Sequence, residues 1–260
     1  MSQQCFHLSR RLVAVDGTFL KARFIQTLLL AIGIDADGHN TILAWAVVES
    51  ENRDSWEWFF RHLRCAIPSI SQEACTLISD RDKGLLLAEP VLGPLVTAAH
   101  CCYHLKENFT EKFGRGLAPL FWAIARARTE ERYVAMLQKL RETKEAAARY
   151  LENAHPNTWA EARFPGHRFG HDTSNIVESV NKTLKLDREL PIVELLDTIW
   201  HRVMQHRADR LAVAIKEMAA GSTWSSWAGG ILLEGRKWAG GNRVGLLLLL
   251  WILLISILST

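Results

Sequence analysis

Residues 12–48 read LVAVDGTFLKARFIQTLLLAIGIDADGHNTILAWAVV. The stretch contains three apolar runs rich in residues that favour strands, at 12–16, 25–34 and 41–48. Gly17 separates the first run from the second, and the turn sequence DADG separates the second from the third. Because Asp-Gly is a strong hairpin signal, the second and third runs are predicted to form an antiparallel pair.

A helix is predicted after the third run. Asp54 and Glu57 have the spacing of a capping box. The apolar residues that follow recur at helical spacing, namely Trp56, Phe59, Phe60 and Leu63. Such a stripe is typical of a helix that packs on a sheet, so we interpret these side chains as core.

A parallel unit is predicted next along the chain. Residues 76–80, TLISD, form a short apolar run that ends in a carboxylate, and a second short run covers 95–99. A helix is predicted between them, from Lys83 onward. Strand, helix and strand in this order indicate parallel strands. Three strands, a helix and a βαβ unit are the outline of an RNase H-like domain, in which the fourth strand lies parallel beside the first.

Two carboxylates end the strands that would lie side by side. Asp16 closes the run 12–15, and Asp80 closes the run 76–79. Because adjacent strands are about 4.8 Å apart, the two acids can hold the same divalent metal ion. Glu178, on a later helix, can complete a pair of Mg²⁺ sites for phosphodiester cleavage.

Other acids stay open as ligands of such a site. Asp172 is the nearest rival to Glu178, and Asp82 could substitute as a ligand. Asp82 also suits the first turn of the following helix, where a negative charge is favoured.

Five stretches resemble, in order and spacing, the MULE (Mutator-like element) transposase domain: VDGTFLK (15–21), AWAVVESENRDSWEWFFRHL (44–63), ISDRDKGL (78–85), HCCYHLKENF (100–109) and TSNIVESVNKTLKLDRELPIVELLDTIWHR (173–202). The resemblance extends over residues 12–207. It implies a DDE-type transposase in which Asp16, Asp80 and Glu178 are the catalytic and metal-binding triad for two Mg²⁺ or Mn²⁺ ions. Such an enzyme cleaves DNA at transposon ends and transfers the strands to target DNA. DNA is then the expected partner, and the nucleus is the expected location.

The resemblance also assigns roles to residues near the triad. Cys101 and His104 match the family's C-x-x-H element. A structural role or a role in handling DNA ends is favoured over a metal site, because two ligands do not complete a tetrahedral zinc site.

A DNA-contacting face is expected on the helix that carries Glu178, for which Ser174 is the predicted N-cap. Asn181, Lys182 and Lys185 lie on this face and are expected to contact phosphate, and Arg188 is a further expected DNA-binding residue. For Lys185 a solvated polar helix face is an equal alternative.

The expected fold class is α/β, an RNase H-like mixed five-stranded sheet flanked by helices, with an all-helical insertion before the last catalytic helix. The insertion is expected because residues 103–151 have helical periodicity and no β-rich run. The expected segments are a leader at 1–11, the core at 12–104, the insertion at 105–172, the completion of the core at 173–218 and a Gly- and Leu-rich tail at 219–260.

Composition sets wider limits on function. The 260 residues are 48% hydrophobic and 23% charged, so the chain can bury a core and is not expected to be disordered. A net charge of +3 is compatible with nucleic acid as partner but suits many metabolic enzymes as well. The five cysteines form no CxxC pair, which favours a reducing compartment over a disulfide framework.

The C-terminal run GLLLLLWILLISIL, residues 245–258, carries no charge. It is shorter than the roughly 20 apolar residues that a membrane span needs, so a membrane is not expected as a partner. A buried helix, a tail anchor and translated sequence outside the working protein are the alternatives for this run.

The expected partners follow from what full-length transposases of this type carry. We expect neither their N-terminal zinc-dependent DNA-binding region nor their C-terminal zinc finger here, because no Cys or His follows residue 210 and only eleven residues precede the first run. Separately encoded DNA-binding parts and a homo-oligomer are therefore expected partners. The alternative function is that of an inactive or domesticated transposase-derived regulatory protein that binds DNA, and the intact triad favours the enzyme.

Overall fold

The computed structural model describes residue 6 and residues 9–21, 26–80 and 82–239. Its strands are β1 (Leu12–Phe19), β2 (Thr27–Ile34), β3 (Asn40–Val48), β4 (Cys75–Ser79) and β5 (Val96–His100). They form a five-stranded sheet in the order β3-β2-β1-β4-β5. β2 pairs antiparallel with both β1 and β3, whereas β4 is parallel to both β1 and β5. The predicted α/β fold with an RNase H-like mixed sheet is confirmed.

Gly17 lies inside β1 and does not end it. It pairs with Leu29 of β2, and the strand continues to Phe19. The expectation that Gly17 separates two strands was therefore wrong. A Cβ at this position would lie 2.4 Å from Oε2 of Glu51, so a side chain here would displace that carboxylate.

The described helices are α1 (Arg53–Ala66), α2 (Ser69–Gln72), α3 (Lys83–Ala88), α4 (Cys102–Phe113), α5 (Ala118–Ala125), α6 (Glu130–Thr143), α7 (Glu145–Glu152), α8 (Asn175–Thr183), α9 (Ile192–Ala219) and α10 (Ser226–Ala239). Short 3₁₀ turns lie at Glu89–Leu92, Arg115–Leu117, Pro156–Thr158 and Asp187–Glu189.

The capping residue of α1 differs from the prediction. The side chain of Asn52 accepts a hydrogen bond from the backbone N–H of Ser55 at 3.0 Å. The capping box expected from Asp54 and Glu57 is therefore wrong, because Asn is as good an N-cap as Asp and stands at the right position. Glu57 instead forms an ion pair with Arg53.

The main core lies between one face of the sheet and the helices α1 and α3. It contains Val13, Val15, Leu29, Trp56, Phe60 and Leu85. Because side chains alternate along a strand, Asp16 points to the opposite face of the sheet. There α8 packs against β1 and β2 with Ile176 and Val177 buried. The alternation thus directs the first acid toward the helix that carries Glu178.

The helices α4 to α7 have a core of their own. Its large members include Phe109, Phe121, Tyr133, Leu140 and Trp159. The rings of Phe121 and Trp159 stack at 5.7 Å. Between residues 102 and 172, all of which are described, there are helices, turns and loops but no strand.

The chain divides into two compact units, residues 1–201 and 202–260, and the boundary falls within α9. The segment boundaries predicted from the sequence stay predictions. Within the described ranges, no helix is both long and apolar enough to cross a bilayer. The apolar run 245–258 and most of the predicted leader lie outside those ranges.

Candidate active site

Asp16 lies within β1, and Asp80 directly follows the neighbouring parallel strand β4. Ala14 of β1 is opposite Ile78 of β4, and each acid lies two residues further along the chain. Asp80 comes directly after β4, and its Oδ1 accepts a hydrogen bond from the backbone N–H of Asp82 at 3.0 Å. The predicted juxtaposition of these acids at one sheet edge therefore follows from the observed register.

Glu178 lies in the first turn of α8. Ser174, at the N-cap position, donates from its hydroxyl to Oε1 of Glu178 at 3.3 Å. Three residues beyond Glu178, the side-chain amide of Asn181 donates to Oδ2 of Asp16 at 2.9 Å. The helix that carries Glu178 is thus bonded directly to the first acid.

The pKa of Asp16 depends on burial and on the charges of the neighbouring acids. Burial raises the pKa of Asp16 from its ordinary value of 3.8 to about 7, and the charges of Asp80, Glu51 and Glu178 contribute to the rise. His104 acts in the opposite direction. A carboxyl whose pKa is raised this far is typical of a functional site.

The donor atoms suit a hard divalent cation. Among the residues that the structure describes, no three His, Cys, Asp or Glu side chains already form a metal-binding group. The atoms around Asp16 are nevertheless oxygen-rich, and Oδ1 of Asn181 is buried without a hydrogen-bond partner in the described part of the chain. Carboxylate and amide oxygens are the ligands that Mg²⁺ and Mn²⁺ prefer. The residues present therefore fit such an ion by their chemistry.

Cys101 and His104 lie beside the acids. Cys101 follows β5 and is the N-cap of α4, and its Sγ accepts from both the backbone N–H and the hydroxyl of Ser174, each at 3.2 Å. Burial raises the pKa of Cys101, but hydrogen bonds from His104 and Ser174 outweigh it, so the thiol pKa lies below its ordinary value.

His104 responds to the same neighbours. Its hydrogen bond with Cys101 raises its pKa to about 9 against the opposing effect of burial, and the charges of Asp80 and Glu178 add to the rise. The C-x-x-H element is thus connected to Glu178 through Ser174. The adjacent Cys102 has a different environment, since it is buried in the core of the insertion.

The expected DNA-contacting residues have different surroundings. Lys182 is exposed in the last turn of α8, and Lys185 is exposed but lies beyond the end of the helix at Thr183. The expectation that Lys185 continues the helix face was wrong because α8 stops earlier. Asn181 is turned inward to Asp16.

Arg188 is turned toward β1. Its guanidinium donates to the hydroxyl of Thr18 and to the carbonyl of Phe19. Its role in DNA binding stays a prediction, as do those of Asn181, Lys182 and Lys185.

Asp172 and Asp82, the alternative ligands, have partners of their own. The carboxylate of Asp172 pairs with Nε of Arg126 at 2.5 Å. Asp82 is the N-cap of α3 and accepts from the backbone N–H groups of Gly84 and Leu85 at 2.8 and 3.2 Å. These contacts favour Glu178 as the third acid of the site.

Sequence reasoning missed Glu51 and Arg168. Glu51 contributes to the raised pKa of Asp16, and the glycine that directly follows Asp16 was the available signal. Arg168 is 2% exposed and donates to five backbone carbonyls, those of His100, Thr158, Trp159, His171 and Asp172. It joins the end of β5 to the loop that leads into α8, and no sequence pattern marked it.

The fold defines a structural class. A mixed five-stranded sheet in the order β3-β2-β1-β4-β5, flanked by helices, is the framework of an RNase H-like fold. Residues 12–108 match the family profile of the MULE transposase domain. The recognition of this domain from the sequence is confirmed over those residues.

Two curated relatives are transposases of bacterial insertion sequences. The chain is 26% identical over 184 residues to the transposase for insertion sequence element IS905 of Lactococcus lactis, an alignment that covers 66% of this chain and 46% of the relative. It is 27% identical over 177 residues to the transposase for insertion sequence element IS406 of Burkholderia multivorans, covering 64% of this chain and 45% of the relative. The chain therefore aligns with slightly less than half the length of these relatives.

Proposed function

We propose that this chain is the catalytic domain of a DDE-type transposase, in which Asp16, Asp80 and Glu178 bind Mg²⁺ or Mn²⁺ for DNA cleavage and strand transfer. The observation that carries the proposal is the placement of Asp16 on β1 and Asp80 directly after the parallel strand β4, with the helix of Glu178 bonded to Asp16 through Asn181 at 2.9 Å. Burial and the surrounding acids also raise the pKa of Asp16 to about 7. A buried carboxyl among like charges is costly unless a cation compensates the charge. Similarity to transposases of insertion sequences supports the same function.

Each residue has a defined task in this proposal. Asp16 and Asp80 present carboxylates from one sheet edge, and Glu178 presents a third from α8. Asn181 and Ser174 hold two of these carboxylates by hydrogen bonds. When bound, the divalent ions supply the charge that activates the attacking water and stabilises the leaving oxygen.

The proposed chemistry has two steps on DNA. Water first attacks a phosphorus at the transposon end, and the bond to the 3′ oxygen breaks, which leaves a 3′ hydroxyl. That hydroxyl then attacks a phosphorus of the target strand and displaces the target's own 3′ oxygen. Because both steps are the same type of displacement, the three acids are required for both.

Metal-dependent nicking of supercoiled plasmid DNA by the purified chain tests this proposal. Wild type should nick the DNA with Mn²⁺ or Mg²⁺ and not in a chelator. Asp80→Asn and Glu178→Gln should reduce nicking at least about 100-fold. Glu142→Gln, an exposed acid of α6, is the matched control and should behave as wild type.

Strand transfer and DNA binding complete the test. Joining of an oligonucleotide with a free 3′ hydroxyl to target DNA should fall together with nicking in Glu178→Gln. Binding of DNA by this variant should persist or tighten, because repulsion of phosphate is reduced. Equal cleavage by wild type and Glu178→Gln would exclude Glu178 and make Asp172 the next candidate. DNA binding without any metal-dependent cleavage would favour the alternative of a transposase-derived regulatory protein.

A further inference from the structure

Glu51 is held against the strand that carries Asp16. It lies between β3 and α1, and its carboxylate occupies the space that a side chain at position 17 would fill. A Cβ built on Gly17 would lie 2.4 Å from Oε2 and 2.7 Å from Oε1 of Glu51. The absence of a side chain directly after Asp16 therefore lets this carboxylate reach the backbone of β1.

A buried tryptophan fixes the position of this carboxylate. Nε1 of Trp56 donates to Oε1 of Glu51 at 3.2 Å. Trp56 is fully buried and stacks on Phe60 at 5.4 Å, so its indole has little freedom to move. Glu51 is thus positioned by the core and is not a freely moving surface acid.

The charge of Glu51 has acidic neighbours. In the described part of the chain it forms no ion pair with a basic side chain, and its hydrogen bond comes from the neutral indole. Burial raises its pKa against the effect of Trp56, and the charges of Asp80 and Asp82 raise it further. Glu51 therefore adds negative charge to the environment that Asp16 and Asp80 share.

The alternation of β1 sets how Glu51 can act. The side-chain positions of residues 16 and 17 face opposite sides of the sheet. Glu51 thus approaches β1 from the face opposite to the Asp16 side chain. This geometry suits an effect of its charge on the site and does not suit a shared bond to one ion.

We propose that Glu51 supports the catalytic centre from the opposite face of the sheet, and that its charge increases the affinity of the Asp16 and Asp80 site for a divalent cation. The proposal rests on the function proposed above. Gly17 then contributes to the same effect, because the absence of a side chain at this position leaves the space in which the Glu51 carboxylate lies.

Binding of Mn²⁺ to the purified full chain, measured by the electron paramagnetic resonance signal of free Mn²⁺, tests this proposal without reference to activity. Glu51→Gln keeps an acceptor for Trp56 and removes only the charge, so Mn²⁺ binding should weaken about tenfold. Gly17→Ala should weaken it similarly, because the new methyl group displaces the carboxylate. The double variant should be no weaker than the more affected single variant. Glu49→Gln, an exposed neighbour, is the control.

Thermal unfolding in a chelator separates this role from a structural one. Glu51→Gln should be as stable as wild type or more stable, because repulsion between carboxylates is reduced. Unchanged Mn²⁺ affinity in Glu51→Gln, or weaker affinity accompanied by a lower melting temperature, would overturn the proposal for Glu51 alone. Equal Mn²⁺ binding by wild type and Asp80→Asn would instead overturn the proposed metal site and this inference with it.

Discussion

Asn181 and Asp16 are 165 positions apart in the chain and are joined by a hydrogen bond of 2.9 Å from the side-chain amide to Oδ2. The bond connects α8 to β1, so the helix that carries Glu178 and the strand that carries Asp16 are aligned by a contact between the two elements. The contact restrains the orientation of the Asp16 carboxylate, as the proposed cation site requires.

Removal of this restraint should affect cleavage more than stability. Asn181→Ala is expected to reduce metal-dependent nicking about tenfold or more, since partners that orient metal ligands have effects of this size. The change in unfolding free energy should stay near 1 kcal/mol, the usual contribution of one hydrogen bond. Asn175→Ala, at an exposed position of the same helix, is the control for both measurements. Wild-type nicking by Asn181→Ala would show that the orientation of Asp16 does not depend on this bond.

The raised pKa of Asp16 predicts a pH-dependent stability in the absence of metal. Since burial and neighbouring acids raise this pKa from 3.8 to about 7, the folded state holds the proton more tightly than the unfolded chain. The resulting stabilisation is present below the unfolded pKa and is lost as the pH rises through the folded pKa. Asp16→Asn keeps an acceptor for Asn181 and removes the charge. In a chelator it should therefore exceed wild type in unfolding free energy by on the order of 2–4 kcal/mol at high pH.

Urea unfolding of both proteins across this pH range measures the effect. The difference between Asp16→Asn and wild type should shrink toward zero as the pH falls below the unfolded pKa of 3.8. A difference that is the same at both ends of the range would mean that Asp16 does not titrate in this way.

Arg168 should be a major determinant of stability. Its guanidinium is buried and donates to five carbonyls at 3.0 to 3.2 Å. Arg168→Met removes a donor from each of these carbonyls, although those of Asp172 and Trp159 keep hydrogen bonds from Cys102. The unfolding free energy should fall by about 3 kcal/mol or more. Arg168→Lys should cause a smaller loss, because an ammonium has fewer donors and no planar fork. Arg149→Met, which removes an exposed ion pair with Glu145, should change stability by less than about 0.5 kcal/mol.

Chemical denaturation of the three variants checks this prediction. Equal stability of Arg168→Met and Arg149→Met would show that the buried guanidinium contributes no more than a surface charge. Such a result would also remove the reason to regard Arg168 as the link between β5 and the loop before α8.

The strands of the sheet could be predicted from the sequence because the patterns that indicate them lie within short stretches of the chain. The apolar runs, the Asp-Gly turn and the carboxylate that closes each run all lie within a few residues of one another. Parallel pairing of β1 and β4 follows from the order of the elements, and it brings Asp16 and Asp80 to one edge.

The contacts that complete the site depend on tertiary packing and leave little local signal. Gly17 indicates a turn by itself, and its role becomes clear only when Glu51 is found in the space beside it. Asn181 has the spacing of a DNA-facing residue, yet its amide faces Asp16. Arg168 lies in a loop, where an arginine is usually exposed to solvent. It is buried here because carbonyls of the insertion accept hydrogen bonds from its guanidinium. Contacts between residues this far apart in the chain are determined by the tertiary packing.

Substitutions of Lys182 and Arg188 should have different effects on DNA binding and on stability. Both side chains carry a positive charge, but of these two only Arg188 is bonded to β1. Lys182 is exposed on α8, whereas the guanidinium of Arg188 donates to Thr18 and Phe19. Lys182→Ala should leave stability within about 0.5 kcal/mol of wild type. If Lys182 contacts a phosphate, the slope of log binding constant against log salt concentration should fall by about 0.9.

Arg188→Ala should show the opposite pattern. Loss of its bonds to β1 should lower the unfolding free energy by about 1–3 kcal/mol, since the partners are left unpaired. The salt dependence of DNA binding should stay close to that of wild type if Arg188 keeps its bonds to β1 in the complex, because its Nη1 then already donates to Thr18 and Phe19. Fluorescence anisotropy of a labelled DNA duplex at several salt concentrations, together with urea unfolding, measures both quantities. A reduced salt slope in Arg188→Ala without a loss of stability would show that Arg188 leaves β1 to bind DNA.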